Sequence, residues 1–309
     1  MAGEIAELET TLSLQTPEEN LRAGVYNQVE IWVRTEFKGR LTSAIARRIE
    51  LRDKKKDMDK EAWRQETLTN HKKLAQIQFG YVRVMWAARQ LADLNEAEHG
   101  KALHTLAKNV EDNLFHKPNS VVTAGRSPEE QDRLENSLVG AITVLKFLDL
   151  YQASMPQGFR ESFRGAIKYS VDNDVRHKVD LEFRFGDRNP KTGKEIVRLI
   201  QLKTAAQDKG LAVAEVTSAE KIPDRVQDYV KAEDARKMHD YARRLEQQNP
   251  NLEVHTFISA IPCARPGHGS SDNALGIETG YTQGTRVVSR QAVINKFTNE
   301  ASEVGLLPK

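Results

Sequence analysis

The sequence predicts a mixed α/β (α+β) protein, with a helical first domain over residues 1–126 and a second domain over 127–309 where strands and helices mix. Three observations carry this. Up to Phe115 apolar residues recur every three or four positions behind helix-start signals. From His177 to Lys203 the pattern changes to a period of two around a polar turn. Beyond that, a long basic stretch and the apolar run Leu252–Ile261 read as a helix followed by a buried strand.

At 309 residues the chain can bury one large core or two ordinary ones. With 39% hydrophobic and 29% charged residues it reads as globular rather than disordered. No run approaches the ~20 apolar residues that span a bilayer. The start, MAGEIAELETTLSLQTPEEN, has no basic end leading into an apolar core, so the expectation is a cytoplasmic protein without a membrane partner. One cysteine, Cys263, excludes an internal disulfide and a thiolate zinc cluster, and reads as a small apolar residue. A net charge of +2 gives no whole-molecule field for nucleic acid, so any basic surface must be local.

Thr16-Pro17-Glu18-Glu19 has the form of a capping box with proline in the first turn. The stripe Val25, Val29, Val33, Phe37, Leu41, Ile45, Ile49 then predicts one long helix with a buried face, a stripe equally suited to packing within the chain or to a homodimer. Arg40, Arg47, Arg48, Arg52 and Lys54–Lys56 beside it read first as a solvated face and second as a phosphate-binding ridge. A second helix is expected over Lys60–Leu94, with Leu74, Ile77, Tyr81, Val84, Met85, Ala88 and Leu91 inward and Trp63 and Trp86 as core anchors. A third is expected over Asn95–Phe115, then a loop over 116–126. Ser127-Pro128-Glu129-Glu130 repeats the capping signature and opens a helix carrying Leu134, Leu138, Ile142, Leu145 and Leu148.

In the second half, Gly158–Ser170 suits a helix with Phe159, Phe163, Ala166 and Ile167 buried. Val179–Phe185 alternates as a strand, with Val179, Leu181, Phe183 and Phe185 on one face and Asp180, Glu182 and Arg184 on the other. Gly186–Gly193 is a turn by composition. Glu195–Thr204 returns beside the first strand, with Gln201 and Lys203 on one face and Ile200 and Leu202 on the other. Leu211–Val216 suits another strand. A helix from Pro223 to about Gln248 carries Lys231 and Arg236 as candidate phosphate contacts. The Gly- and Ser-rich stretch Arg265–Thr285 reads as a loop, and Ser289–Val304 as a last amphipathic helix.

An aspartate beside an amide oxygen can hold a hard divalent cation, which prefers oxygen ligands. A neighbouring lysine can then orient water or balance charge on a phosphate. No His pair has the spacing of a zinc helix, and Gly267-His268-Gly269 is not followed by the helix a nucleotide loop needs. His177 and His255 read as strand-flanking residues.

At Asp180 and Gln201-Leu202-Lys203 the sequence resembles the PD-(D/E)xK nuclease superfamily, whose pattern is an acid in one strand and an (Asp/Glu)-x-Lys tip in the next. The resemblance covers roughly residues 158–261. It departs at Val179, where the family has proline, and at Gln201, where it has an acid; a Gln-x-Lys variant occurs within the superfamily. The resemblance implies a restriction-endonuclease-like mixed sheet flanked by helices. It implies Mg²⁺ or Mn²⁺ as cofactor and Asp180, Gln201 and Lys203 as catalytic residues. Metal ligands would be Asp180, Gln201 and Glu161, the last on the preceding helix opposite its apolar stripe; Glu182, two residues from Asp180 on the same strand face, is a competing second carboxylate that could equally pair with Arg184 or Arg198. The Gln-x-x-x-Tyr mark of some subfamilies is absent, since Gln227 and Tyr229 lack its spacing. The implied function is hydrolysis of DNA, or of RNA, in phage defence, restriction or toxin action. The alternatives are a nuclease fold that binds nucleic acid or a protein without cutting, and a hairpin in which Asp180 and Lys203 merely pair across the strands.

Overall fold

The computed structural model describes residues 25–92, 109–110, 112–116, 127–160, 163–170, 172–205, 210–218, 221–263, 280–283 and 286–308. These fall into two compact units, one reaching Leu145 and the other formed by Lys146–Cys263 with the described residues after 279. The first unit is helical, and the second holds a five-stranded mixed sheet flanked by helices.

In the first unit, α1 (Val25–Trp32), a π turn (Val33–Phe37) and α2 (Lys38–Asp53) follow without a break. A row of residues spaced by four drifts about 40° per step on a 3.6-residue helix. The wider π turn takes back part of that drift, and Val29, Val33, Phe37, Leu41 and Ile45 all stay buried. These five residues pack inside the chain, with Phe37 stacked between Trp32 and Tyr81 at 5.4 and 4.7 Å, while Ile49 at the end of the stripe is half-buried. Helix α3 (Lys60–Ala92) buries Leu74, Ile77, Tyr81, Val84 and Met85 as expected. Trp63 and Trp86 are only partly buried, not core anchors. Trp63 instead donates its indole N–H to the Leu51 carbonyl at 2.8 Å and ties α3 back to the end of α2.

The Thr16 capping box lies outside the described residues, as does most of the helix expected over 95–115. The second capping box forms as written: Ser127 N–H donates to Glu130 Oε2 at 2.9 Å, and Glu130 N–H to Ser127 Oγ at 3.3 Å. It opens α4 (Pro128–Ser154), which buries Leu134, Leu138, Ile142, Leu145 and Leu148. Much of the basic face on α2 is ion-paired: Arg47 with Glu50 and Glu66, Arg52 with Asp53 and Glu129, Lys54 with Glu50.

In the second unit the end of α4 is followed by the helical residues Gln157–Arg160 (α5) and Phe163–Ala166 (α6), and by strand β1 (Ile167–Lys168). Helical residues stop at Ala166, short of the end expected at Ser170, because strand pairing captures the chain there. Ile167 sits opposite Phe183, and Arg184 N–H donates to the Ala166 carbonyl at 2.9 Å. Strands β2 (Leu181–Phe183), β3 (Glu195–Ala205), β4 (Ala212–Glu215) and β5 (Leu252–Pro262) complete the sheet in the order β1-β2-β3-β5-β4. Only the β3–β5 pair is parallel. The crossover between them contains α7 (Ala232–Gln248). That helix starts later than Pro223: Lys231 has extended backbone, and Val226 and Val230 enter the core from a series of turns.

The sheet has two apolar faces. One meets α7 through Val197, Leu199, Ala214, Ile258, Met238 and Ala242. The other carries Phe183, which lies 4.6 Å from Tyr151 and 6.2 Å from Phe147 by ring centroids. The β2–β3 turn uses left-handed backbone at Gly186 (φ 75°) and Gly193 (φ 69°), angles that only glycine adopts readily. Part of the expected 265–285 loop is strand, since β6 (Gly280–Gln283) pairs with β7 (Arg286–Ser289). The last helix, α8 (Arg290–Glu303), buries Ile294, Phe297 and Ala301. Among the described residues no helix is long and apolar enough to cross a membrane.

Candidate active site

Alternation along β3 sends Val197, Leu199, Gln201 and Lys203 to the α7 face. The antiparallel register pairs Leu181 with Ile200, and one step further places Asp180 beside Gln201 on that face. Asp180 is fixed at both ends. Its N–H donates to the Ile200 carbonyl at 2.9 Å, and its Oδ2 accepts the Leu202 N–H at 2.6 Å.

A second carboxylate joins it. Asp174 lies in a π turn, Asn173–His177, closed by Lys178 in left-handed backbone (φ 60°). A non-glycine residue there is strained by on the order of 1 kcal/mol. The bend carries the chain back, with Val179 N–H donating to the Asn173 carbonyl at 3.2 Å, and the Asp174 and Asp180 carboxyls share a hydrogen bond. Tyr169 donates its hydroxyl to Asp174 Oδ2 at 3.3 Å. Helix α7 braces the same turn: Tyr241 stacks on His177 with centroids 4.5 Å apart, and Arg244 reaches His177 Nδ1 at 3.2 Å. His177 is therefore a brace, and burial, with Arg244 beside it, holds its pKa below the ordinary imidazole value.

Two acids in contact cannot both ionise cheaply. Asp180 keeps an edge toward solvent, yet its carboxyl lies deep enough that burial dominates. Burial, then the charge of Asp174, pushes it up to about 8, against the pull of the Leu202 N–H and Lys203. Burial raises Asp174 as well, opposed chiefly by Lys178. The pair thus holds one proton between its members into the neutral range.

Gln201 is 2% exposed, and its Oε1 is buried with no hydrogen-bond partner among the described residues. A buried amide oxygen left so is costly, on the order of 1–3 kcal/mol. Lys203 is half-buried and its charge is felt by both aspartates, but no ion pair within 4.0 Å joins it to either. A cross-strand Asp180–Lys203 pair is therefore not what holds this hairpin.

The other expected residues within the described chain are not joined to the carboxyl pair. Glu182 is buried against Arg184, 2.6 Å away, and Arg198 is taken by Asp187 across two hydrogen bonds of 2.6 and 3.0 Å. Lys231, the extended residue just before α7, and Arg236 on its first turns are exposed, and Glu233 feels Lys237 most, then Lys231 and Lys178. Glu161 lies outside the described residues. Asp174 was missed by the sequence reading; its only signal is an acid six residues before Asp180 in the polar run Asp172–Asp180.

A cleft of about 410 Å³, lined by Lys168, Tyr169, Ser170, Asn173 and Glu182 among others, opens against the same turn. Among the described residues no group of three or more His, Cys, Asp or Glu is placed to hold a metal. The donor set here is of another kind: two carboxyls joined by a proton and one amide oxygen without a partner, all oxygen and all suited to a hard cation. No protein-family model, curated protein or solved structure matches the chain.

Proposed function

We propose that the chain is a divalent-metal-dependent nuclease acting on phosphodiester bonds of DNA, or of RNA, in the cytoplasm. The observation that carries this reading is the juxtaposition of the proton-sharing pair Asp174–Asp180 with the unpartnered Gln201 Oε1 and with Lys203 on one sheet face. Asp174, Asp180 and Gln201 would hold Mg²⁺ or Mn²⁺, which when bound supplies Lewis-acid polarisation of a phosphate oxygen. In that role Asp174 and Asp180 would give up the proton they share and Gln201 Oε1 would gain the partner it lacks, so two unfavourable features of the free site would be relieved together.

The remaining chemistry belongs to the chain. Lys203 balances negative charge that grows on the phosphate and orients the attacking water. Tyr169 holds Asp174 in place, and α7 holds the turn that bears it. The adjacent cleft admits the strand, with Lys168 at its wall to meet a phosphate.

The test is cleavage of labelled single- and double-stranded DNA and RNA with Mg²⁺, Mn²⁺ or EDTA, beside Asp180→Asn and Lys203→Met. Metal-dependent cutting that both substitutions abolish, with unchanged circular dichroism, is the expected result. Salt-sensitive binding without cutting would replace the enzyme by a nucleic-acid-binding module on the same fold.

A further inference from the structure

The first unit holds a second cleft, of about 270 Å³, between α2, α3 and the start of α4. Its lining includes Arg48, Arg52, Lys55 and Arg133 and no acidic side chain among the described residues. Glu129 pairs with both Arg52 and Arg133, and Asp53 with Arg52. Four cations against two carboxylates leave +2, counting His71 in the same wall as neutral.

The excess charge is concentrated on Arg48 and Lys55. Arg48 leaves much of its side chain in water at the rim, but partial burial and the neighbouring Arg133 hold its pKa below the ordinary guanidinium value, and no acid offsets them. Lys55 lies over the Trp63 ring, 5.2 Å from its centroid. Thr67 Oγ1, in the same wall, is buried and has no hydrogen-bond partner among the described residues. Solvated surface cations ordinarily splay away from like charges and sit near acids. Here the guanidinium groups of Arg48, Arg52 and Arg133 line one space beside a hydroxyl without a partner among the described residues.

We propose that this cleft binds the phosphate group of a nucleotide, free or within a strand. A phosphate matches the +2 excess better than a carboxylate does, accepts the fork of a guanidinium through two oxygens, and takes a further bond from a hydroxyl. The volume admits the phosphate with its attached sugar. The site lies in the helical unit and its test reads affinity, so it stands or falls apart from cleavage in the other unit.

The experiment uses the full chain carrying Asp180→Asn, to stop cutting, with and without Arg48→Met. Inorganic pyrophosphate, ATP and a short single-stranded oligonucleotide are titrated at constant ionic strength, and melting temperature and Kd are read. In anion-free buffer Arg48→Met keeps or raises the melting temperature, because it removes a repelled charge. It weakens binding by roughly tenfold or more, as loss of a charge-assisted contact requires. Binding of pyrophosphate and ATP identifies a free nucleotide as the ligand, and binding of the oligonucleotide alone identifies a strand; both support the proposal. A protein that responds to none of the three would overturn it. So would an Arg48→Met chain that binds as the parent does, or that melts lower without any anion.

Discussion

Replacing Asp180 by asparagine removes the shared proton's site while keeping the shape and an acceptor for the Leu202 N–H, which now lies 2.6 Å from Oδ2. In the folded chain the carboxyl titrates near 8, against 3.8 for the free side chain, so between these values the folded state binds more protons than the unfolded one. Its contribution to stability is fully present below about pH 4 and is lost as pH rises through about 8. At about 1.4 kcal/mol per tenfold change in proton affinity, the full span is on the order of 5 kcal/mol. The edge that the residue keeps toward water reduces this to roughly 2–3 kcal/mol. Urea unfolding of both proteins in EDTA, at about pH 4 and about pH 8.5, reads the difference through the midpoints. We expect near-equal stability in acid and an Asp180→Asn chain more stable by roughly 2–3 kcal/mol in base. Identical pH slopes for the two proteins would refute the proton-sharing pair.

Three further substitutions probe the frame around the site. Asp187→Ala leaves the buried Arg198 guanidinium without its carboxylate; denaturant unfolding should show a loss of about 3–5 kcal/mol. Phe183→Ala opens a hole beneath Tyr151 and Phe147, with an expected loss of about 3–5 kcal/mol by calorimetry or urea. His255 is raised above 6.5 chiefly by its 2.6 Å bond to Glu215, with burial opposing. The stability it adds is fully present below about pH 6.5 and is lost as pH rises through the higher folded value. His255→Gln should flatten that part of the profile, seen as melting temperatures that change less between about pH 5.5 and 8.

From Leu181 onward the hairpin is legible in the sequence because a period of two fixes which side chain faces which way; Val179, expected on the face of Phe183, packs instead with the α7-face residues because β2 begins only at Leu181. Asp180, Gln201 and Lys203 fall on one face by counting alone, and the register then makes the first two neighbours. Asp174 is not legible in this way. It comes from a π turn and a left-handed lysine, neither of which has a compositional mark, and it reaches Asp180 only because α7 packs down on the turn. Glu182 shows the converse: its spacing suits a second ligand, but Arg184 two residues along the same face takes it first. Helix boundaries follow the same logic. Pro223 signals a start, yet burial of Val226 and Val230 decides the local path and delays α7 to Ala232.

If Asp174 and Asp180 belong to a metal site, a divalent cation takes the place of the proton they share. Titration calorimetry of Mg²⁺ and Mn²⁺ near pH 7, in two buffers of different ionisation enthalpy, measures that displacement directly. We expect release of about one proton per ion bound, affinity that rises with pH toward 8, and no proton release from Asp180→Asn. Ion binding without proton release, or with the same release from the variant, would contradict it.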